Sequence, residues 1–153
     1  MEKDRIILSL LREDARISLT KMSRKTKIPV STLYERIRKS KYIKKHTSLL
    51  DFERLGYGAR AKVLFKVDRK DREALREFLC KCQFINELIR VNNGYDFLVE
   101  FVFEQMRGLE NYLEILEKRF NIKDNKVFYI VDELKRENFL SNHNVEKMGK
   151  PFK

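Results

Sequence analysis

From Asp4 to Arg12, Ile6, Ile7, Leu10 and Leu11 recur at i, i+1, i+4 and i+5. That spacing predicts one apolar stripe on a short helix, with acids at its start where the helix dipole favours them. The stretch Asp14 to Ser18 breaks the pattern, and Ser18 is a fitting N-cap for a second helix. This helix turns Leu19 and Met22 inward and Lys21, Arg24 and Lys25 outward, and ends near Thr26 and Lys27. Ile28 and Pro29 make a tight turn, and Pro29 suits the start of a third helix from about Val30 to Ser40. Leu33 and Ile37, at i and i+4, must face the small core, which leaves Ser31, Tyr34, Glu35 and Arg38 on the opposite side. The residues after it alternate well enough to predict a short strand, or wing, with Tyr42 inward beside Ile43 and Lys41, Lys44 and Lys45 outward.

Beyond residue 59 the periodicity changes. The run from Ala59 to Val67 is β-branched and aromatic, a strand ended by Asp68. Leu75, Phe78, Leu79 and Cys82 share a helix face, and Phe84 to Val91 follow as a second strand. Asn93-Gly94 tolerates positive φ and marks a hairpin, with Tyr95 to Glu104 returning antiparallel. Met106, Leu109, Leu113, Leu116 and Phe120 form another helix face, and residues 126–131 give a last strand. The order is βαββαβ, a ferredoxin-like arrangement. The fold class is therefore α+β, a winged helix-turn-helix at 1–50, a linker at 51–59, a ferredoxin-like domain at 60–140 and a tail at 141–153, with any disorder confined at most to residues 143–153.

Charge sharpens this picture. The chain carries 34 Lys plus Arg against 23 Asp plus Glu, a net +11. Of that excess, +9 falls in the first 50 residues, so the footprint of a polyanionic partner is local. No run of about 18 apolar residues spans a membrane, and the N-terminus lacks the pattern of a signal peptide, so the expected location is cytoplasmic. Cys80 and Cys82 point apart on a helix and read as reduced thiols. His46 and His143 have no second ligand at metal spacing, so neither metal nor cofactor is expected. Nothing forms a Ser/His/Asp arrangement, a Gly-rich phosphate loop or a carboxylate pair with a nearby base, and a binding role is preferred to an enzymatic one.

The third helix fits the major groove of double-stranded DNA, where Arg pairs with guanine, Ser bonds several base edges, and Tyr offers both an apolar face and a hydroxyl. Glu35 either accepts from cytosine, orients a neighbouring Arg, or pairs with Lys39 as plain helix surface. Lys41, Lys44 and Lys45 are expected to meet phosphate and set affinity, not sequence preference. An architectural DNA-binding protein with little preference is the alternative, separable by its uniform dependence on basic contacts.

Three stretches in register resemble the Lrp/AsnC family of prokaryotic transcriptional regulators: Asp14 to Ser18, Pro29 to Ile37, and Leu50 to Gly56. The βαββαβ order that follows is also similar to that family's effector domain. By this resemblance Ser31, Thr32 and Arg36 sit on the DNA-facing or phosphate-clamping side, with Arg38 and Lys39 further along. The resemblance further implies a homodimer that can assemble into tetramers or octamers, and an amino-acid or related effector near Asn93, Gly94, Tyr95 and Asp96. Tyr95 and Asp96 equally suit a purely structural hairpin in which Asp caps backbone amides. The sequence departs from the family pattern where a Gly is usual after the third helix, and Asn93 replaces a Gly. Siroheme decarboxylases look similar in domain plan, but they need histidines in a tetrapyrrole pocket that two isolated ones do not supply.

Overall fold

The first helix, α1 (Glu2–Glu13), opens a three-helix unit with α2 (Leu19–Thr26) and α3 (Val30–Arg38) in the computed structural model, which describes residues 2–141. The tail from residue 142, including His143, lies outside the described residues. Ile7, Leu10, Met22, Ile28 and Leu33 form this unit's buried core, ringed by half-buried Leu11, Ile17, Leu19 and Ile37. Ile6, expected inside, is exposed, while Ser9 is buried. Three short helices enclose too small a core to cover the whole predicted stripe.

Ser18 caps α2, its Oγ accepting from the Lys21 N–H at 3.2 Å. Lys27 ends α2 in the left-handed region, its N–H returning to the Ser23 carbonyl at 2.8 Å. Thr26 Oγ1 bonds the Met22 carbonyl and accepts from the Ile28 N–H, which tightens the turn into α3. Residues 134–141 group with this unit, whereas the expected sheet domain runs to residue 140. Arg12 is the reason, since its guanidinium pairs with the Glu137 carboxylate at 2.8 Å and bonds the carbonyls of Glu137 and Phe139.

The expected wing is corrected. Residues 43–50 form no strand, and Tyr42 is exposed instead of inward. An extended segment needs a neighbour to pair its backbone groups, and none of the four strands lies in this unit. The Tyr42 N–H is taken by Ser40 Oγ in a turn.

The second unit, residues 49–133, is an antiparallel sheet of β1 (Ala59–Val67), β2 (Ile85–Arg90), β3 (Phe97–Phe103) and β4 (Ile122–Tyr129) in the order β2-β3-β1-β4. Helices α4 (Arg72–Cys80) and α5 (Met106–Arg119) pack on one face through Leu75, Leu79, Leu109 and Leu116 against Val63, Phe65, Val99 and Phe101. Phe65 and Phe101 meet edge to face at 6.3 Å. At Gly108 a β-carbon would come within 3.2 Å of the Phe103 ring, so glycine lets α5 lie close on β3. The expected βαββαβ order is present. β4 begins at Ile122, four residues before the expected start, because pairing with β1 runs from Ala61↔Tyr129 to Val67↔Ile122. Cys82 falls beyond the end of α4, where its sulfur accepts from the Tyr112 hydroxyl at 3.0 Å. Among the described residues no helix is long and apolar enough to cross a membrane.

The face turned away from the helices mixes charge and apolar surface. Arg60 lies there, its guanidinium shared between Glu100 at 2.6 Å and Glu133 at 2.7 Å and resting 5.0 Å from the Phe52 ring. Burial alone would raise the Glu100 carboxyl, but hydrogen bonds from Arg60 and Asn86 hold it below its ordinary value. Lys62 pairs with Glu87 beside exposed Phe128, and Leu64 is flanked by Leu98 and Lys126. Ile89 extends this row on β2.

Candidate nucleic-acid interface

Helix α3 carries its apolar residues on one side, with Leu33 fully buried and Ile37 packed against the same core. One helical period fixes the rest: Ser31, Tyr34, Glu35 and Arg38 share the far side, and Thr32, Arg36 and Lys39 flank it. Ser31, Thr32, Tyr34, Arg36, Arg38 and Lys39 are exposed, and Glu35 is half-buried. The Arg38 guanidinium lies 5.7 Å from the Tyr34 ring centroid and 3.1 Å from Glu35 Oε1. Glu35 also takes the Lys39 ammonium at 2.7 Å, so both orienting and pairing roles anticipated for it are present. No side chain caps the N-terminus of α3, where Pro29 stands.

Arg36 behaves differently from its neighbours. It reaches back to Asp4 on α1, with Nη1 to Oδ1 at 2.7 Å, and this hydrogen bond holds the Asp4 carboxyl below its ordinary value. The guanidinium thereby orients α3 against α1, a contact between residues 32 positions apart that no local pattern announces. Lys41, Lys44 and Lys45 are exposed on the irregular segment after α3, and Lys41 lies 5.6 Å from the Tyr42 ring.

The hairpin that joins β2 to β3 forms a second feature. Asn93 and Gly94 both adopt positive φ, 63° and 89°, the backbone that Asn-Gly supplies at low cost. Together with Tyr95 and Asp96 they border an open cavity of about 420 Å³. Asp96 is spent on structure: Oδ2 accepts from the Val67 N–H at 3.0 Å and Oδ1 takes Arg72 at 2.8 Å. The Tyr95 hydroxyl donates to Asp124 at 2.7 Å. The sequence reading missed the cations on the other side of this cavity, Lys66, Arg69, Arg72 and Lys123. Their signal was the charged run from Lys66 to Arg72, which reads locally as solvated surface. Among the described residues no group of three or more His, Cys, Asp or Glu could hold a metal ion.

Residues 2–39 match the model of the AsnC-type helix-turn-helix domain. The chain is 33% identical over 118 residues to the HTH-type transcriptional regulator FL11 of Pyrococcus horikoshii, covering 75% of this chain and 78% of that protein. It is 28% identical to the transcriptional regulator AzlB of Bacillus subtilis, over 73% of this chain and 75% of AzlB. Among solved structures, a Neisseria meningitidis transcriptional regulator in complex with L-Met superposes with a TM-score of 0.81 at 18% identity, covering 89% of this chain and 92% of that one. AsnC of E. coli gives 0.78 at 16% identity, covering 89% and 95%. These two likenesses concern the fold. The identity to FL11 over most of both chains, together with the matching helix-turn-helix, carries the conclusion that this chain belongs to the Lrp/AsnC family of transcriptional regulators.

Proposed function

We propose that this regulator binds double-stranded DNA sequence-specifically as a homodimer or higher oligomer, and that a small metabolite modulates it at the hairpin cavity. The observation that carries the DNA part is the outward face of α3, where Arg38 is held between the Tyr34 ring and the Glu35 carboxylate. An arginine so ordered loses less rotamer freedom on pairing with guanine, and it is the base reader in this account. Ser31, Tyr34 and Glu35 complete the reading face. Thr32, Lys39, Lys41, Lys44 and Lys45 flank it as phosphate contacts, Arg36 steadies the helix through Asp4, and the uncapped N-terminus of α3 suits a further phosphate.

One small helix-turn-helix contacts too few bases to stand out among genomic sites, so two copies are needed. The open sheet face supports self-association, since Phe128 is 54% exposed and Ile89 40% exposed on it. A metabolite role is supported by the hairpin cavity and by the Neisseria relative in complex with L-Met. Asn93, Gly94, Tyr95 and Asp96 border the proposed site, with Asp96 shaping it and not contacting ligand.

Competition binding tests the reading. Arg38→Ala is expected to cost about 1–3 kcal/mol and to relax preference at one base position. Lys44→Ala should weaken all sequences alike and reduce the salt dependence by about one phosphate contact. A uniform loss from both variants would favour the architectural alternative.

A further inference from the structure

Charge at the hairpin cavity is one-sided. Four cations line it, Lys66, Arg69, Arg72 and Lys123, against one carboxylate, Asp96. Lys123 is neutralised by Asp68 at 2.9 Å and Arg72 by Asp96 at 2.8 Å. Lys66 and Arg69 have no hydrogen-bonded or ion-paired side chain among the described residues. Arg72 uses a terminal nitrogen on Asp96 and leaves its buried Nε without an acceptor, an arrangement that carries a desolvation cost.

The acceptor side is nearly exhausted. Both Asp96 oxygens are occupied, one by the Val67 N–H and one by Arg72. Asp68, beside the cavity, gives one oxygen to the Lys70 N–H and the other to Lys123. The lining therefore holds no unspent carboxylate for the ammonium of a neutral amino acid, while two unpaired cations and a half-used guanidinium await anionic oxygens. Bringing a zwitterion here would leave its ammonium facing net positive charge, a like-charge arrangement that selects against it.

We infer that the cavity between the β2–β3 hairpin and the start of α4 takes a small dianion, a dicarboxylate or a phosphorylated metabolite, and discriminates against amino acids of zero net charge. The inference rests on the reading of this cavity as the small-molecule site and names its ligand class. Arg69 and Lys66 supply the discriminating charge, and Arg72, positioned by Asp96, supplies a third cationic donor.

Isothermal titration of the full chain with succinate, inorganic phosphate, L-leucine and L-methionine at matched ionic strength tests it. Saturable binding of succinate or phosphate is expected, weakened about tenfold or more by Arg69→Gln and unchanged by the charge-matched Lys81→Gln, an exposed position beyond the end of α4 that does not line the cavity. Succinate binding more tightly assigns a carboxylate ligand, and phosphate binding more tightly assigns a phosphorylated one. Arg72→Gln should weaken binding too, and Arg69→Gln keeps the test independent of any folding defect from loss of the Asp96 pair. Tighter binding of L-leucine or L-methionine, indifferent to Arg69→Gln but lost in Asn92→Trp, which adds bulk to the lining, overturns the dianion while leaving the site in place. Anion binding reduced as much by Lys81→Gln as by Arg69→Gln, or no binding of any probe, overturns both.

Discussion

Arg36 and Arg38 stand two residues apart on α3, and their environments divide their work. Arg36 is tied to Asp4 and holds the helix in place; Arg38 lies over Tyr34 on the outward face. Sequence periodicity separates the two sides of the helix, but it cannot show that Asp4 captures Arg36, because that contact depends on how α1 docks. Arg60 teaches the same lesson. Its strand position is legible from alternation, whereas Glu100, Glu133 and Asn86 converge on one charge network from three other segments. Glu100→Gln should destabilise the fold by about 2–3 kcal/mol, since it leaves the Arg60 cation with a single acid in a largely buried site. The sign of the pH dependence follows from the lowered folded-state value of Glu100, below its ordinary 4.5. Its contribution is complete above the unfolded value and is lost as pH falls through the folded one. Asp4 and Asp68 are also lowered, so they act in the same direction. Urea unfolding in this acidic range is expected to show a steeper loss of stability for the native chain than for the Glu100→Gln variant.

Elements were more legible than contacts between them. The helices of the first unit follow from local signals that survive in the structure: Ser18 as cap, Met22 and Leu33 inward, Pro29 at the start of α3. Ser18→Ala removes an acceptor from the first turn of α2 and should cost about 1 kcal/mol in chemical unfolding. Leu33→Ala empties the centre of a five-residue core and should cost about 2–5 kcal/mol, enough to abolish folding of this unit. The wing was not legible because strand formation is a property of pairs. Alternation in residues 41–50 marks extended backbone, but only a partner strand satisfies its N–H and C=O groups. β4 illustrates the converse, since its register with β1 pulls Ile122 and Lys123 into the strand despite their weak apolar pattern. The cavity cations were illegible for a related reason. Lys66, Arg69 and Arg72 are near in sequence, but Lys123 joins them only through that pairing.

For the whole molecule, the α+β plan and the regulator family agree with the sequence reading, and self-association and operator recognition follow as proposals. The exposed face of the sheet offers Phe128 and Ile89 beside the Lys62–Glu87 pair, a surface suited to burial against a second copy. Sedimentation velocity at micromolar concentration is expected to show a dimer or larger species, and Phe128→Asp should shift it towards monomer. A native chain that sediments only as a monomer would remove the paired-helix account. The central claim is sequence-specific reading by paired α3 helices, and selection from a random duplex pool at near-physiological salt tests it most directly. The account predicts enrichment of an inverted repeat whose half-sites lie about one helical turn, or a multiple of it, apart. Binding without enrichment and lost steeply with salt would contradict it, leaving a protein that grips the phosphate backbone without reading the bases.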